Sequence, residues 1–165
     1  DGGQAFYSQH RIGRNGRAFR MWKLRTMVVD AEARMVQHLA THPEARAEWD
    51  ARQKLENDPR ITRFGRFLRK SSLDELPQLW NVLTGDMSLI GPRPMMLCQQ
   101  ALYPGTAYYA LRPGITGSWQ VAGRNSTTFE ARAEFDTTYE RGLSFFGDMK
   151  ILLRTVRVVF AGTGC

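Results

Sequence analysis

The chain has 165 residues, of which 42% are hydrophobic and 24% are charged. This balance is typical of one folded domain and argues against a disordered or low-complexity chain. Lys and Arg number 23 against 16 Asp and Glu, which leaves a net charge of +7 and predicts an anionic partner such as nucleic acid, anionic lipid or a nucleotide diphosphate. We therefore treat residues 1–165 as a single domain.

Two further features bear on where the protein works. Cys98 and Cys165 lie far apart with no metal-ligand spacing, which favours a reduced, cytosolic environment. The longest apolar stretch, residues 151–160, contains Arg154 and Arg157 and falls short of the about 20 apolar residues that span a bilayer. Because the sequence opens on Asp1 without an initiator Met, we expect it to be a fragment.

The first third of the sequence predicts a hairpin and two helices. Short apolar runs at residues 5–9 and 19–24 flank Asn15-Gly16, a dipeptide typical of hairpin turns. Residues 30–57 consist mostly of good helix formers and are interrupted at His42-Pro43. This pattern indicates two consecutive helices, the second of which begins near Pro43.

The middle of the sequence predicts two amphipathic helices. Apolar residues recur at helical spacing over residues 61–68, with basic residues on the other faces; that charged face is either solvated or lies against acidic headgroups or phosphates. A second apolar stripe, closed by Gly85, predicts a helix that packs into the core; its members are Leu76, Leu79, Trp80 and Leu83.

The last third is rich in turns and then becomes helical. Gly and Pro cluster at residues 91–94, 103–105 and 112–114, which predicts loops around short segments such as residues 115–121. Helices are predicted over residues 129–140 and 149–160. The final helix is apolar enough to be buried or to rest on a membrane.

The densest chemical signal is the adjacent pair Asp74-Glu75. Ser72 with Glu75 three residues later has the pattern of a capping box, and acids are favoured in a first helical turn. Pro77 is tolerated only in a first turn, so Asp74 is itself a second candidate for the N-cap. The other interpretation is a carboxylate that acts as a nucleophile or holds a divalent metal. Residue types alone favour capping.

Several basic residues lie in loops rather than along predicted helices, and three of them adjoin Gly or Pro. A guanidinium offers a planar fork for phosphate oxygens, and glycine allows close backbone approach, so the set suits a diphosphate. For any one of them taken singly, surface solubility is the alternative. The residues are Lys23, Arg25, Arg93, Arg112 and Arg124.

Motifs along nearly the whole chain resemble the bacterial sugar transferase family, the monotopic polyprenyl-phosphate phosphoglycosyl transferases, and in particular its exopolysaccharide-initiating branch. The longest shared stretch runs over residues 72–94. The other segments that carry the resemblance are Arg11-Ile12-Gly13, Lys23-Leu24-Arg25-Thr26-Met27, Asn57-Asp58-Pro59-Arg60, Arg112-Pro113-Gly114-Ile115-Thr116-Gly117, Trp119-Gln120-Val121 and Gly123-Arg124-Asn125.

The resemblance implies a two-step reaction. Asp74 would attack the phosphate that bears the sugar of a UDP-sugar and expel UMP, and polyprenyl (undecaprenyl) phosphate would then collect the phospho-sugar. Glu75 would complete a catalytic dyad, and Mg²⁺ bound near Asp74 would neutralise the diphosphate. Galactose and glucose are the sugars that the branch suggests.

The same resemblance implies substrate-site roles for further residues and a location. Lys23, Arg69 and Arg124 suit phosphates, as does the loop residue Arg93, whereas Asp148 would meet a metal, a hydroxyl or a cation, with a structural ion pair as its alternative.

The implied fold is α/β, rich in helices, with short strands and interfacial amphipathic helices. It would lie on the cytoplasmic face of the bacterial inner membrane, behind an N-terminal re-entrant helix that precedes the family's equivalent of Asp1. A homo-oligomer is possible, because the sequence does not determine the oligomeric state.

Two other classes of protein compete with an enzyme. A basic nucleic-acid-binding domain would explain the charge, but no nucleic-acid motif is present and we expect no nucleic-acid partner. A non-catalytic membrane-surface assembly module would keep the amphipathic helices without releasing UMP. The intact pair Asp74-Glu75 argues against that module.

Overall fold

The computed structural model describes residues 2–52, 55–122 and 127–160. Within these ranges the strands are β1 (Phe6–Ile12), β2 (Ala18–Leu24), β3 (Ser88–Ile90), β4 (Met95–Met96) and β5 (Gly114–Thr116). The helices are α1 (Ala31–Thr41), α2 (Pro43–Arg52), α3 (Arg63–Lys70), α4 (Gln78–Leu83), α5 (Ala107–Ala110), α6 (Ser118–Ala122), α7 (Arg132–Arg141) and α8 (Phe145–Phe160). This mixture confirms the predicted α/β class, rich in helices with short strands.

The predicted hairpin is present and forms the main sheet. β1 and β2 pair antiparallel from Phe6 opposite Leu24 to Ile12 opposite Ala18. Asn15 and Gly16 in the turn have φ of 59° and 74°, the left-handed region that an Asn-Gly pair tolerates best. The short strand β4 adds to the other edge of β1, so the strand order is β2-β1-β4.

A second, parallel sheet joins β3 to β5 and fixes the loops that follow them. The Gly91 N–H donates to the Thr116 carbonyl at 2.9 Å, and the Gly114 N–H donates to the Pro92 carbonyl at 2.8 Å. A Cβ on Gly114 would overlap the backbone at Gly91, so only glycine allows this approach. The loop that carries Arg93 is thereby held against the start of β5.

The main core lies where β1, β4, α5 and α7 meet. Its buried members are Ile12, Met95, Tyr103, Tyr108 and Ala133. The Tyr108 hydroxyl donates to the Ile12 carbonyl and accepts from the Met95 N–H. One buried side chain therefore bonds to backbone groups on two strands, which ties the end of the hairpin to β4.

The helix predicted from the stripe at residues 76–83 forms, but the prediction that it packs into the core was wrong. Trp80 and Leu83 are 62% and 80% exposed, whereas Gln78 and Asn81 are buried. Asn81 lies against the free edge of β2, where its side chain accepts from the Trp22 N–H at 3.1 Å and donates to the Arg20 carbonyl at 2.8 Å. The amide replaces a neighbouring strand, so the polar face of α4 is the buried one.

The other predicted helices are present, with shifted ends in α3, α7 and α8, whereas the short helices α5 and α6 were not predicted. α1 and α2 break at the predicted position and share a separate small core of Met35, Ala45 and Leu55. α7 begins at Arg132, after a turn, and α8 begins at Phe145 because the Ser144 hydroxyl accepts the Gly147 N–H at 3.1 Å and caps the first turn. Among the described residues, no helix is long and apolar enough to cross a membrane.

Candidate active site

Asp74 and Glu75 lie in a single 3-10 turn, Leu73–Glu75, between α3 and α4. Neither capping interpretation holds: Ser72 makes no side-chain cap, and α4 begins only after Pro77 without one. Ser72 has a left-handed φ of 57°, which costs a non-glycine residue about 1 kcal/mol or more. The turn therefore presents two adjacent carboxylates that no helix end requires.

Lys23 joins the pair from the end of β2. Its Nζ lies 2.9 Å from Glu75 Oε1 and 3.7 Å from Asp74 Oδ2. Asp74 is only 6% exposed, and the lysine is itself mostly buried. Lys23 was predicted to be a substrate-site residue, and it reaches Asp74 and Glu75 from a segment about 50 residues away in sequence.

Burial and nearby charges act on the pKa of Asp74 in opposite directions. Burial raises the pKa of Asp74 above its ordinary value, the Lys23 ammonium opposes that rise, and the neighbouring Glu75 carboxylate adds to it. The charges of Arg69 and Arg93 also favour the ionised form. That form is the one that a nucleophile or a metal ligand requires.

Arg69 approaches from the last turn of α3. Its Nε donates to the Thr26 hydroxyl at 2.9 Å, and the Thr26 carbonyl accepts from the Thr62 N–H at the start of α3. Burial lowers the pKa of Arg69, and the Asp74 carboxylate opposes that change. The arginine is thus held in place by a hydroxyl, and its charge acts on the dyad.

Arg93 reaches the dyad from the loop between β3 and β4. One of its terminal nitrogens lies 3.8 Å from Glu75 Oε1. The Arg93 carbonyl accepts from the Arg132 guanidinium at 2.8 Å, which in turn lies over the rings of Trp119 and Phe129. Arg132 anchors the loop from beneath. It carried no signal in the sequence, because a single arginine in a helix is ordinarily solvated.

Two predicted substrate residues are not brought to the dyad by any described contact. Asp148, in the first turn of α8, accepts a hydrogen bond from the Tyr139 hydroxyl at 2.8 Å, so its partner is a phenol and its substrate role stays a prediction. Arg124 lies outside the described residues. The predicted role of Arg124 likewise stays a prediction.

Arg11 and Gln120 line the cavities at this site but were not predicted as site residues, although both stand in motifs already noted. Arg11, Lys23, Glu75 and Arg93 line a cleft of about 20 Å³. Glu75 and Arg93 also line a larger cavity of about 300 Å³, which includes Gln120. Burial, together with the nearby charge of Arg93, lowers the pKa of Arg11 to about 10, as expected of two cations that lie close together.

The carboxylates present fit a magnesium ion. The described residues hold no group of three or more His, Cys, Asp or Glu able to form a closed metal cage. Mg²⁺ does not require one, because it typically binds one or two carboxylates together with waters and substrate phosphates. Asp74, the predicted ligand, and the adjacent Glu75 supply that donor set.

A buried pair of carboxylates next to several cations can bind a phosphate group or a metal ion. The family model for bacterial sugar transferases matches residues 1–162, and the chain belongs to that family. The recognition made from the sequence is therefore confirmed.

Three relatives show which members of the family this chain is similar to. The chain is 49% identical over 166 residues to a UDP-galactose-lipid carrier transferase of Erwinia amylovora, with 99% of this chain and 35% of the relative covered. It is 48% identical to the undecaprenyl-phosphate galactose phosphotransferase of Salmonella typhimurium, with 99% and 35% covered. It is 44% identical to the exopolysaccharide production protein ExoY of Rhizobium meliloti, with 99% and 74% covered. The chain thus spans about a third of the length of the first two relatives.

Proposed function

We propose that this chain is the catalytic domain of a phosphoglycosyl transferase that moves a sugar-1-phosphate from a UDP-sugar to polyprenyl (undecaprenyl) phosphate and releases UMP, the first membrane step of exopolysaccharide synthesis. The observation that carries the proposal is Asp74, a buried carboxylate adjacent to Glu75 and within 3.7 Å of the Lys23 ammonium. Relatives named as galactose transferases onto undecaprenyl phosphate support this acceptor, and UDP-galactose as the first donor to test.

In the first step, a carboxylate oxygen of Asp74 attacks the phosphorus that bears the sugar. A bond forms between that oxygen and the phosphorus, and the bond from the phosphorus to the bridging diphosphate oxygen breaks. The electron pair leaves with UMP, and an aspartyl phospho-sugar remains on the protein. Lys23 and Arg93, which already face Glu75, would hold the diphosphate oxygens and offset the charge that develops on the leaving group.

In the second step, a phosphate oxygen of the polyprenyl phosphate attacks the same phosphorus. The bond between this phosphorus and Asp74 breaks, the carboxylate is regenerated, and a polyprenyl diphosphate sugar leaves. Splitting one displacement into two in this way lets donor and acceptor use one set of cations in turn. Glu75, held by Lys23 at 2.9 Å, keeps that ammonium between the two carboxylates.

Magnesium, when bound at Asp74 and Glu75, would supply a Lewis acid that neutralises diphosphate charge. The side chains would do the rest: Lys23, Arg69 and Arg93 orient the phosphates, and Asp74 forms the covalent bond. We expect chelation of divalent metal to abolish turnover. The Asp74-Glu75 turn would nevertheless keep its conformation, since Ser72 and Lys23 hold it without metal.

A surface beside the dyad fits the cytoplasmic leaflet of a membrane. Exposed apolar side chains lie on α3 and on α4, on either side of the turn that carries Asp74 and Glu75. We call them together the α3–α4 face, which consists of Phe64, Phe67, Trp80 and Leu83. Phe64 and Phe67 on α3 are 68% and 58% exposed, and basic residues accompany them on the same short helix. Aromatic and basic residues together are typical of helices that lie in the interface of anionic bilayers.

The α3–α4 face should hold the chain to anionic vesicles. Replacing both Phe64 and Phe67 with Ser should weaken binding to vesicles of phosphatidylglycerol by at least about tenfold, because each phenyl ring contributes about 1.5–3 kcal/mol when it leaves water. Vesicle co-sedimentation measures this change. Val36→Ser is the matched control, since Val36 is also exposed but lies on α1, away from this face; equal losses from both variants would refute the assignment.

The proposed reaction is tested by UMP release. The full-length protein should release UMP from a UDP-sugar in the presence of Mg²⁺, detergent and polyprenyl phosphate, and a panel of UDP-sugars identifies the donor. Chelator should stop the reaction. Failure to release UMP from any UDP-sugar by a folded, membrane-bound protein would contradict the proposal and favour a non-catalytic assembly module instead.

A further inference from the structure

Arg132 on α7 is a buried cation without an ion pair. Only 6% of this residue is exposed, and burial, together with the nearby charge of Arg93, lowers the pKa of its guanidinium to about 10. Among the described residues it forms no ion pair with a carboxylate. The buried Asp136 on the same helix accepts from the Tyr103 hydroxyl at 2.7 Å instead. A buried, unpaired charge destabilises a fold, so its presence requires an explanation.

The contacts that Arg132 does make fix one point of the backbone. Its guanidinium lies 4.8 Å from the centre of the Trp119 ring and 4.9 Å from the centre of the Phe129 ring. It donates to the Arg93 carbonyl at 2.8 Å. Two aromatic faces determine where a planar guanidinium lies, and the hydrogen bond transmits that position to its acceptor. Arg132 therefore holds the backbone of a residue 39 positions earlier in the chain.

A second arginine holds the next residue of the same loop. Arg11 on β1 donates to the Pro94 carbonyl at 3.4 Å, so two consecutive carbonyls accept from guanidiniums on different elements. The charge of Arg93 lowers the pKa of both Arg11 and Arg132, which means that three cations are held close together. Like charges held together destabilise the fold, whereas they favour the binding of an anion. The arrangement therefore suits function better than it suits stability.

The side chain of Arg93 carries this fixed position to the dyad. One of its terminal nitrogens lies 3.8 Å from Glu75 Oε1, and it lines the cleft that also contains Lys23. An arginine side chain has many rotamers, so a fixed backbone beneath it reduces the cost of holding the guanidinium against a ligand. A displacement of about 1 Å at a group that positions a substrate can cost about 100-fold in rate.

We infer that Arg132 is a positioning residue for the reaction, because by holding the Arg93 carbonyl it aims the Arg93 guanidinium at the diphosphate of the UDP-sugar. The inference rests on the proposed function and adds to it a residue that lines neither cavity at the dyad. Arg132 acts on the substrate only through Arg93. Its effect should therefore disappear when the Arg93 side chain is absent.

A double-mutant cycle on the full-length protein in detergent tests this dependence, with inorganic pyrophosphate as the probe and calorimetry as the measurement. Arg132→Met removes the charge and the hydrogen bond but keeps a long side chain. We expect it to lower pyrophosphate affinity at least about 5-fold, since a charge-assisted hydrogen bond is worth about 10-fold or more. In Arg93→Ala, which keeps the carbonyl but has no guanidinium to aim, the same substitution should change the affinity by less than about 2-fold.

UMP release should follow the same pattern as pyrophosphate affinity. The matched control is Arg141→Met, which removes an exposed arginine from the last turn of the same helix and should bind pyrophosphate as wild type does. Arg132→Lys keeps the charge but cannot lie flat between two rings. It takes the place of the methionine variant in the cycle if that variant does not fold.

The possible outcomes separate positioning from a structural role. An equal loss of pyrophosphate affinity with and without the Arg93 side chain would overturn the inference, because Arg132 would then act on the fold or through its charge. No loss in either background, or a wild type that does not bind pyrophosphate, would also overturn it. Absence of UMP release by wild type would refute the proposed function, while the pyrophosphate cycle would still decide whether Arg132 positions Arg93.

Discussion

Replacing Asp74 with Asn should lower the rate of UMP release by at least about 10³-fold, because removal of a covalent nucleophile leaves only binding and electrostatics. Asn has nearly the same shape, and its neutral amide cannot attack phosphorus at a useful rate. Burial raises the pKa of Asp74, so the ionised carboxylate is less stable in the folded protein than in the unfolded chain. Asp74→Asn should therefore unfold at a temperature no lower than wild type near neutral pH.

The matched control for this variant is Asp86→Asn. Asp86 accepts a hydrogen bond from the Thr84 hydroxyl at 3.1 Å, which an Asn side chain can also accept, and it lies on the exposed surface after α4. UMP release by Asp86→Asn should match wild type. If Asp74→Asn kept more than a tenth of wild-type turnover, Asp74 would not be the nucleophile.

Replacing Gly65 with Ala should be the most damaging small change away from the dyad. Gly65 is a buried residue of α3, and a Cβ there would lie closer than van der Waals contact to the Thr26 carbonyl and backbone. Backbone atoms cannot rotate away, so α3 must shift from the segment that holds Arg69. We expect the free energy of unfolding to fall by about 3 kcal/mol or more, which urea denaturation measures, and UMP release to fall with it.

Gly147→Ala is the control for this prediction, because it places the same methyl group in another helix. The nearest atom to a Cβ at Gly147 is the Ser144 hydroxyl, 3.0 Å away at the end of a rotatable side chain. Alanine favours helix over glycine by about 1 kcal/mol, so Gly147→Ala should be within that range of wild type. Equal stability of Gly65→Ala and Gly147→Ala would show that α3 is not packed on Thr26 as described.

The local elements were predictable because their signals are local. Asn15-Gly16 and His42-Pro43 determine a turn and a helix break from two adjacent residues each. Which face of α4 is buried could not be predicted from local signals. Asn81 is buried because it satisfies backbone groups at Arg20 and Trp22, which are about 60 residues away in sequence, and an apolar stripe by itself does not show whether it faces a core or a membrane.

The candidate site likewise combines features that are local in sequence with features that only the fold brings together. Residue types around Asp74 favoured a helix cap over a nucleophile or a metal ligand, and the resemblance to the family reversed that preference. The cap fails because α4 begins after Pro77. The cations that surround the dyad come from β2, α3 and a loop, and the fold brings them together. Gln120 had no distinguishing signal of its own, because its burial follows from the fold.

The covalent role of Asp74 is tested by the mass of the protein after it is mixed with its UDP-sugar and Mg²⁺ in the absence of polyprenyl phosphate. We expect one equivalent of UMP and a protein that carries one sugar phosphate, with the added group on Asp74 and missing from Asp74→Asn. Addition of polyprenyl phosphate should return the protein to its original mass. UMP that forms only when polyprenyl phosphate is present, with no sugar phosphate on the protein at any time, would contradict the covalent role of Asp74.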